Sequence, residues 1–424
     1  MSGENGKLKE SQLPRIALIT SVIVGVCYLF LYPDLWLYLI GGMHFTDSAY
    51  YPFLDMHGRL AAFEGHRAGI DILYNPNPFD PFQRVSVKPT WPLALTFLGL
   101  GPQHLIAAGT AAAAGLGAIV FSILKPKRWL EMLVLLPICF SPPILLGIER
   151  GNDDIVYLIL LALVPLILKL KLSVRFWLAW LVIFMLAPAK YYPGAVFGIF
   201  FLEVKNWRQL GLLFGAGVLF VTAYFCSRMD EVLYLKEAVP KPNFFLVHGA
   251  SLTFEAINVQ AYWGALLSLL CAIVGVVIVV IPRWLTLNLE ISLQRWYLLG
   301  YAVFAFCFFF NSNFDYRLTY LLLMLPLLFQ LGRMPVFCKG SVSLVRIMVL
   351  LLIPAFWAEI VGMHYFLIQG SWTIELVRFA VYLKSAMLWI FLFGSTVIAA
   401  TLLRPNLRSL AADFYADCKQ FRLK

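Results

Sequence analysis

Long apolar runs, broken at intervals by short polar clusters, fill this sequence from its second ten residues onward. Many approach the ~20 apolar residues that a helix needs to cross a ~30 Å hydrocarbon core. The strict alternation of a membrane barrel is absent, and the runs are too long for barrel strands. The pattern predicts helices near 16–40, 103–124, 129–148, 155–168, 176–189, 191–203, 209–225, 259–281, 296–310, 317–331, 344–361 and 380–403. Two long polar and aromatic stretches, 41–89 and 226–258, interrupt them. The expected fold is an all-α polytopic membrane protein of about twelve transmembrane helices with a large extracytoplasmic first loop. One domain is expected over 1–403, followed by a basic cytoplasmic tail, 404–424.

Composition narrows this further. Of 424 residues, 61% are hydrophobic and 13% charged, more apolar surface than a soluble domain can hide. The first apolar run is too long for a secretory h-region and has no small-residue cleavage site, so it reads as a first transmembrane helix with a cytoplasmic amino end. A net charge of +10 would point to nucleic acid in a soluble protein. Here many of the basic residues sit in short connections, where they set orientation, and no nucleic-acid partner is expected. The seven cysteines are scattered singly, which argues for small buried side chains rather than disulfides or a metal site.

Lysine and arginine are concentrated in every second connection: 125–128, 169–175, 205–208, 283–295, 333–346 and 404–424. The positive-inside rule then puts both termini in the cytoplasm and the long loops, 41–89 and 226–258, on the other side as a cap. Helix rise gives depth. Asp154 lies fifteen residues from Lys169, and Lys190 fifteen from Arg175; each distance is ~22 Å, short of the hydrocarbon core. Asn311 and Arg317 are sixteen residues from Arg295 and Arg333 respectively, or ~24 Å. The motifs "ERGNDD" (149–154), "AKYYP" (189–193) and "NSNFDYR" (311–317) are therefore expected at one shared depth below the outer surface. Ionisable residues there must pair or line a watery cavity.

Two uses stand open for each. In "ERGNDD", Gly151 permits a turn and Asn152 or Asp153 caps the next helix, or Glu149, Arg150 and Asp153 belong to a site. A deep guanidinium such as Arg150 needs an anion, and phosphate suits its fork. Lys190, between Pro188 and Pro193, either snorkels or contacts a ligand phosphate. Arg317 either pairs with Asp315 or a helix end, or clamps phosphate. In the first loop, Asp47 follows the first helix closely and is expected at the mouth of any cavity, with Asp55 eight residues on. A short amphipathic interfacial helix is expected over 48–64. His248 of the second loop reads either as a packed histidine or as a ligand contact. No HExxH, GxSxG or Walker loop is present, and the histidine–carboxylate spacing fits no metal template.

Taken in order, "TDSAYY" (Asp47 to Tyr50), "GIDILY" (Gly69 to Tyr74), "PTWPL" (Pro89 to Leu93), "ERGNDD", "KYYP" (Lys190 to Pro193) and "DYR" (Asp315 to Arg317) resemble bacterial polytopic glycosyltransferases of the C-type superfamily, particularly glycosyltransferase family 87. "PTW" stands where that family usually has a more proline-rich segment. The resemblance covers about residues 16–331. It implies a GT-C-like bundle in the bacterial cytoplasmic membrane and a polyprenyl-phosphate sugar as donor. A lipid or glycan would be the acceptor, with transfer outside the membrane and no cofactor or metal. It makes Asp47 the catalytic base, with Asp55 and Asp71 as fallback candidates. Arg150, Lys190 and Arg317 would hold the donor phosphate. Asp71, Tyr74, Glu149, Asp153, His248 and Asp315 would contact substrate, Asp71 by positioning the sugar or bracing the loop. The rival readings are a lipid-linked polysaccharide polymerase or ligase and a polytopic lipid or solute transporter.

Overall fold

The computed structural model describes residues 12–40, 45–46, 49–238, 247–250, 289–309, 313–334, 339–367 and 373–422, besides single positions 270 and 273. Among the described residues the chain is all-α apart from two-residue strand pairs. The helices are α1 (Leu13–Leu31), α2 (Asp34–Ile40), α3 (Leu54–Arg67), α4 (Leu105–Ile123), α5 (Trp129–Cys139), α6 (Pro142–Arg150), α7 (Asp153–Leu161), α8 (Leu163–Lys169) and α9 (Arg175–Leu186). They continue with α10 (Phe200–Glu203), α11 (Trp207–Ser227), α12 (Met229–Ala238), α13 (Ile291–Phe309), α14 (Leu325–Arg333), α15 (Lys339–Trp357), α16 (Glu359–Leu367) and α17 (Ile374–Arg422). Strands β1 (Phe45–Thr46) and β2 (Ala49–Tyr50) pair with each other, as do β3 (Val247–His248) and β4 (Asn313–Phe314).

Among the described residues six helices are long and apolar enough to cross a membrane, and seven if the bent pair α5–α6 counts as one span. This is an integral membrane protein. The twelve expected spans are not all realised as single helices, and the reason is local. Proline removes a backbone donor and crowds the preceding turn. Pro33 separates α1 from α2, and α5 and α6 meet at 53° around Ser141–Pro142. The expected helices 155–168, 191–203 and 317–331 each divide into shorter elements, with 3₁₀ turns at Tyr192–Ile199 and Asp315–Leu323. The expected span 259–281 lies, apart from positions 270 and 273, outside the described residues.

The broken elements sit in the middle of the bundle. Tyr192, Tyr297, Leu299, Phe304, Leu321 and Leu325 are all buried where α13 packs against both 3₁₀ segments. Long α17 runs along α15 and α13. The expected tail from 404 is helical through Arg422, continuing α17. The expected interfacial helix appears as α3, shifted to Leu54–Arg67. One side of it is buried through Leu54, Leu60 and Phe63, whereas His66 and Arg67 are exposed. Phe53 starts α3 in a left-handed conformation, φ 59°, which a bulky residue adopts only when its surroundings demand it. They do: its N–H donates to the Glu149 carbonyl at 2.7 Å. Its ring also fills the space that a side chain at Gly109 would need.

Candidate functional site

The turn "ERGNDD" is both a helix junction and the hub of a charged network. Gly151, at φ 55°, closes α6, with the Asn152 N–H returning to the Gly147 carbonyl at 3.0 Å. That is the left-handed cap for which glycine is suited. Asn152 then caps α7, its Oδ1 accepting from the Asp154 N–H at 2.9 Å. Its Nδ2 donates to Asp55 Oδ2 at 2.5 Å. The capping reading of this turn holds, and the cap orients the Asn152, Asp153 and Asp154 side chains toward other segments.

Three ion clusters follow in order. Arg150 grips Asp55 with two hydrogen bonds, Nε to Oδ2 at 2.9 Å and Nη2 to Oδ1 at 2.6 Å. Asp153 is contacted by Arg59 at 2.8 Å and Lys88 at 3.1 Å. Asp154 is contacted by Lys190 at 3.4 Å and Arg317 at 3.2 Å, and accepts from the Tyr192 hydroxyl at 2.6 Å. The Arg317 guanidinium lies over the Tyr192 ring and also bonds Asn313. Tyr320 donates to the Tyr192 hydroxyl and the Asp154 carbonyl. The three motifs placed at one depth by counting residues do meet in space.

Among the described residues, five cations here share three aspartates. The surplus stays positive even when buried Glu149, which acts electrostatically on Arg150, is included. Lys88, Arg150 and Lys190 keep 27%, 19% and 19% of their side chains exposed, so these three cations are not fully enclosed. Burial alone would raise the Asp55 carboxyl. The charges of Arg150 and Lys88, with the Arg150 hydrogen bonds, overcome it and hold Asp55 well below the usual carboxylate range. Burial lowers Lys88, with Asp153 opposing it.

A second cluster lies beside the first. Asp315 takes a hydrogen-bonded ion pair from Lys384 of α17 and faces His248 Nδ1 at 3.2 Å. Pairing of His248 with Asn313 across β3–β4 ties it to the Arg317 partner. All three side chains are at most 1% exposed.

Asp55, Arg150, Asp153, Lys190 and Arg317 thus enter one network, and His248 and Asp315 the neighbouring one. Glu149 is buried at the hub, where its carbonyl anchors Phe53. Asp71 is an exposed turn residue accepting from the Leu73 N–H. Tyr74 is exposed and packs on Tyr234, centroids 4.6 Å apart. Neither reaches the network. Asp47 lies outside the described residues. Sequence reading missed Arg59, Lys88, Tyr192 and Lys384. Arg59 stands four residues after Asp55, hence on the same helical face. Lys88 directly precedes "PTWPL", and Lys384 is a single cation within an apolar run.

Polar contacts elsewhere sort the same way. Arg333 pairs with Glu131, Arg295 with Glu203 at 2.7 Å, and Arg208 with Asp417 at 2.8 Å. Each joins residues in or beside the basic connections. The two long loops are joined instead to each other by Tyr74 and Tyr234, and Thr90, one residue past the first loop, donates through its N–H and hydroxyl to Glu231, at 2.7 and 2.5 Å. Among the described residues no group of three or more His, Cys, Asp or Glu side chains is placed to hold a metal ion. Comparison with known protein families, curated proteins and solved structures finds no match to this chain.

Proposed function

We propose that this chain is a membrane glycosyltransferase that moves a sugar from a polyprenyl-phosphate donor to a lipid or glycan acceptor at the extracytoplasmic face. The observation that carries the reading is the meeting of Arg150, Lys190 and Arg317, from three separate segments, in a network with more cations than carboxylates. A phosphate monoanion or dianion brought to the exposed side of Lys88 and Lys190 balances that surplus, and guanidinium forks suit its oxygens. The chemistry is a direct displacement with inversion. The acceptor hydroxyl oxygen attacks the anomeric carbon, the bond to the phosphate oxygen breaks, a carboxylate takes the hydroxyl proton, and the lipid phosphate leaves onto the cations.

Asp55 is poorly suited to be that base. Its two oxygens already accept three charge-assisted or amide hydrogen bonds, and its carboxyl is held too acidic to take a proton readily. Its role in this reading is to position Arg150, which leaves Asp47, the aspartate matched by the family resemblance, as the base. Contacts between 74 and 234 and between 90 and 231 support a cap built from both long loops. In this reading the basic connections face the cytoplasm of a bacterial cell, about twelve spans cross the inner membrane, and no cofactor takes part.

The test is a screen of the purified protein against several polyprenyl-phosphate sugars, with products identified by mass spectrometry. Transfer from at least one donor is expected, and Asp47→Asn should abolish it without lowering the melting temperature. Turnover of the variant at the wild-type rate would remove Asp47 as base. A product whose glycan is moved as a block from a lipid carrier would favour a polymerase or ligase instead.

A further inference from the structure

The segment that carries Arg317 is pinned at every second residue. Asn313, Asp315 and Arg317 alternate along β4 and the first turn of the 3₁₀ segment Asp315–Leu323. The Asn313 backbone pairs with His248 of the second loop, and its side-chain oxygen accepts from Arg317. Asp315 is held from two sides: Lys384 of α17 donates to Oδ2, and His248 Nδ1 faces Oδ1 at 3.2 Å. An ionised carboxylate can only accept, so the imidazole proton lies on Nδ1. Arg317 in turn reaches Asp154 through Nε at 3.2 Å and lies over the Tyr192 ring, 5.4 Å from its centroid.

This frame is costly to build. The Asp315, Lys384 and His248 side chains are at most 1% exposed, and taking two charges so far from water consumes most of what their attraction returns. A well-packed apolar pair of the same volume would hold α17 against the 3₁₀ segment at least as firmly. What the ion pair adds over apolar packing is direction. A satisfied buried network permits one orientation of the Asp315 carboxylate, and so one setting of the turn that starts there. Two residues on, that turn presents Arg317.

We propose that Lys384 is a positioning residue for phosphate binding: through Asp315 it sets the 3₁₀ turn so that the Arg317 guanidinium meets the ligand phosphate, without touching the ligand itself. The inference rests on the phosphate reading of the Arg150, Lys190 and Arg317 network. It makes α17 a contributor to ligand affinity, through a side chain that acts two residues away from the group it aims.

The experiment measures binding of a polyprenyl phosphate to the full-length protein in detergent, with the corresponding polyprenol as control. Wild type is expected to bind the phosphate and not the alcohol. Lys384→Met alone strands the Asp315 carboxylate and should lower the melting temperature. The informative protein is therefore Lys384→Met with Asp315→Asn, which removes both charges and keeps both shapes. It should melt close to wild type and bind polyprenyl phosphate about tenfold more weakly. The same pair of replacements in an Arg317→Gln background should change affinity less than about twofold, because the group being aimed is already gone. Unchanged affinity, a large fall in melting temperature, or equal losses with and without Arg317 would each make Lys384 a brace and overturn the proposal. Equal binding of phosphate and polyprenol by wild type would instead sink the phosphate reading, and this inference with it.

Discussion

The two ends of this molecule use the same side chains in different ways. At the basic connections each ion pair is local and nearly balanced: Arg333 with Glu131, Arg295 with Glu203, Arg208 with Asp417. Around "ERGNDD" the pairs share partners, the described cations outnumber the described aspartates, and three of the cations stay partly exposed. One-to-one pairs tie helix ends together and need nothing more. An overcharged, partly buried network is costly unless an anion completes it. In the proposed reading, the difference separates positions that hold the bundle from positions that would meet a ligand.

That contrast can be broken by substitution. The largest effect is expected at Arg150→Ala, which strands the buried Asp55 carboxylate and should cost about 3–5 kcal/mol in stability; a melting temperature within a degree or two of wild type would show the pair to be dispensable. Next comes Lys190→Ala, whose backbone role is small and whose ammonium is partly exposed. Donor affinity should fall about tenfold or more, the worth of a charged hydrogen bond, with little change in stability. Loss of stability without loss of affinity would make it a strut like those at the other end. Arg333→Ala is the converse control: about 1–3 kcal/mol less stable, with donor affinity unchanged. Arg208→Ala, at a side chain 67% exposed, should cost at most about 1 kcal/mol.

Acid sharpens the same comparison. The Asp55 carboxyl is depressed in the folded protein, so its contribution is fully present above the ordinary carboxylate range and is lost as pH falls toward the folded value. Wild type should therefore lose melting temperature more steeply below about pH 4 than Asp55→Asn does. Parallel curves would mean that Asp55 is not held by Arg150 in solution.

Much of this was legible in the sequence. Residue counts from the basic connections put Asp154, Lys190 and Arg317 at one expected depth, and they meet. Gly151 and Asn152 carried their turn and cap on their faces. What could not be read was partner choice across distance. Nothing local says that Asp55 would fold onto Arg150, ninety-five residues away, or that α3 would carry Arg59 to Asp153. Hydropathy also overstated the number of straight spans, because it weighs apolar content and is blind to the prolines that divide helices into 3₁₀ and short α pieces. Lys384 was overlooked because its helix looked uniformly oily, and a lone cation in such a run should have been the signal.

The length of α17 has a mechanical consequence. Its 49 residues amount to about 73 Å of continuous helix, more than twice the ~30 Å hydrocarbon thickness. One helix, with Pro405 inside it, therefore bears Lys384, which grips the deep Asp315, and also Asp413 and Asp417, which hold Trp207 and Arg208. A single element of the chain thus ties the carboxyl-terminal turns to the buried Asp315 cluster in the interior of the protein.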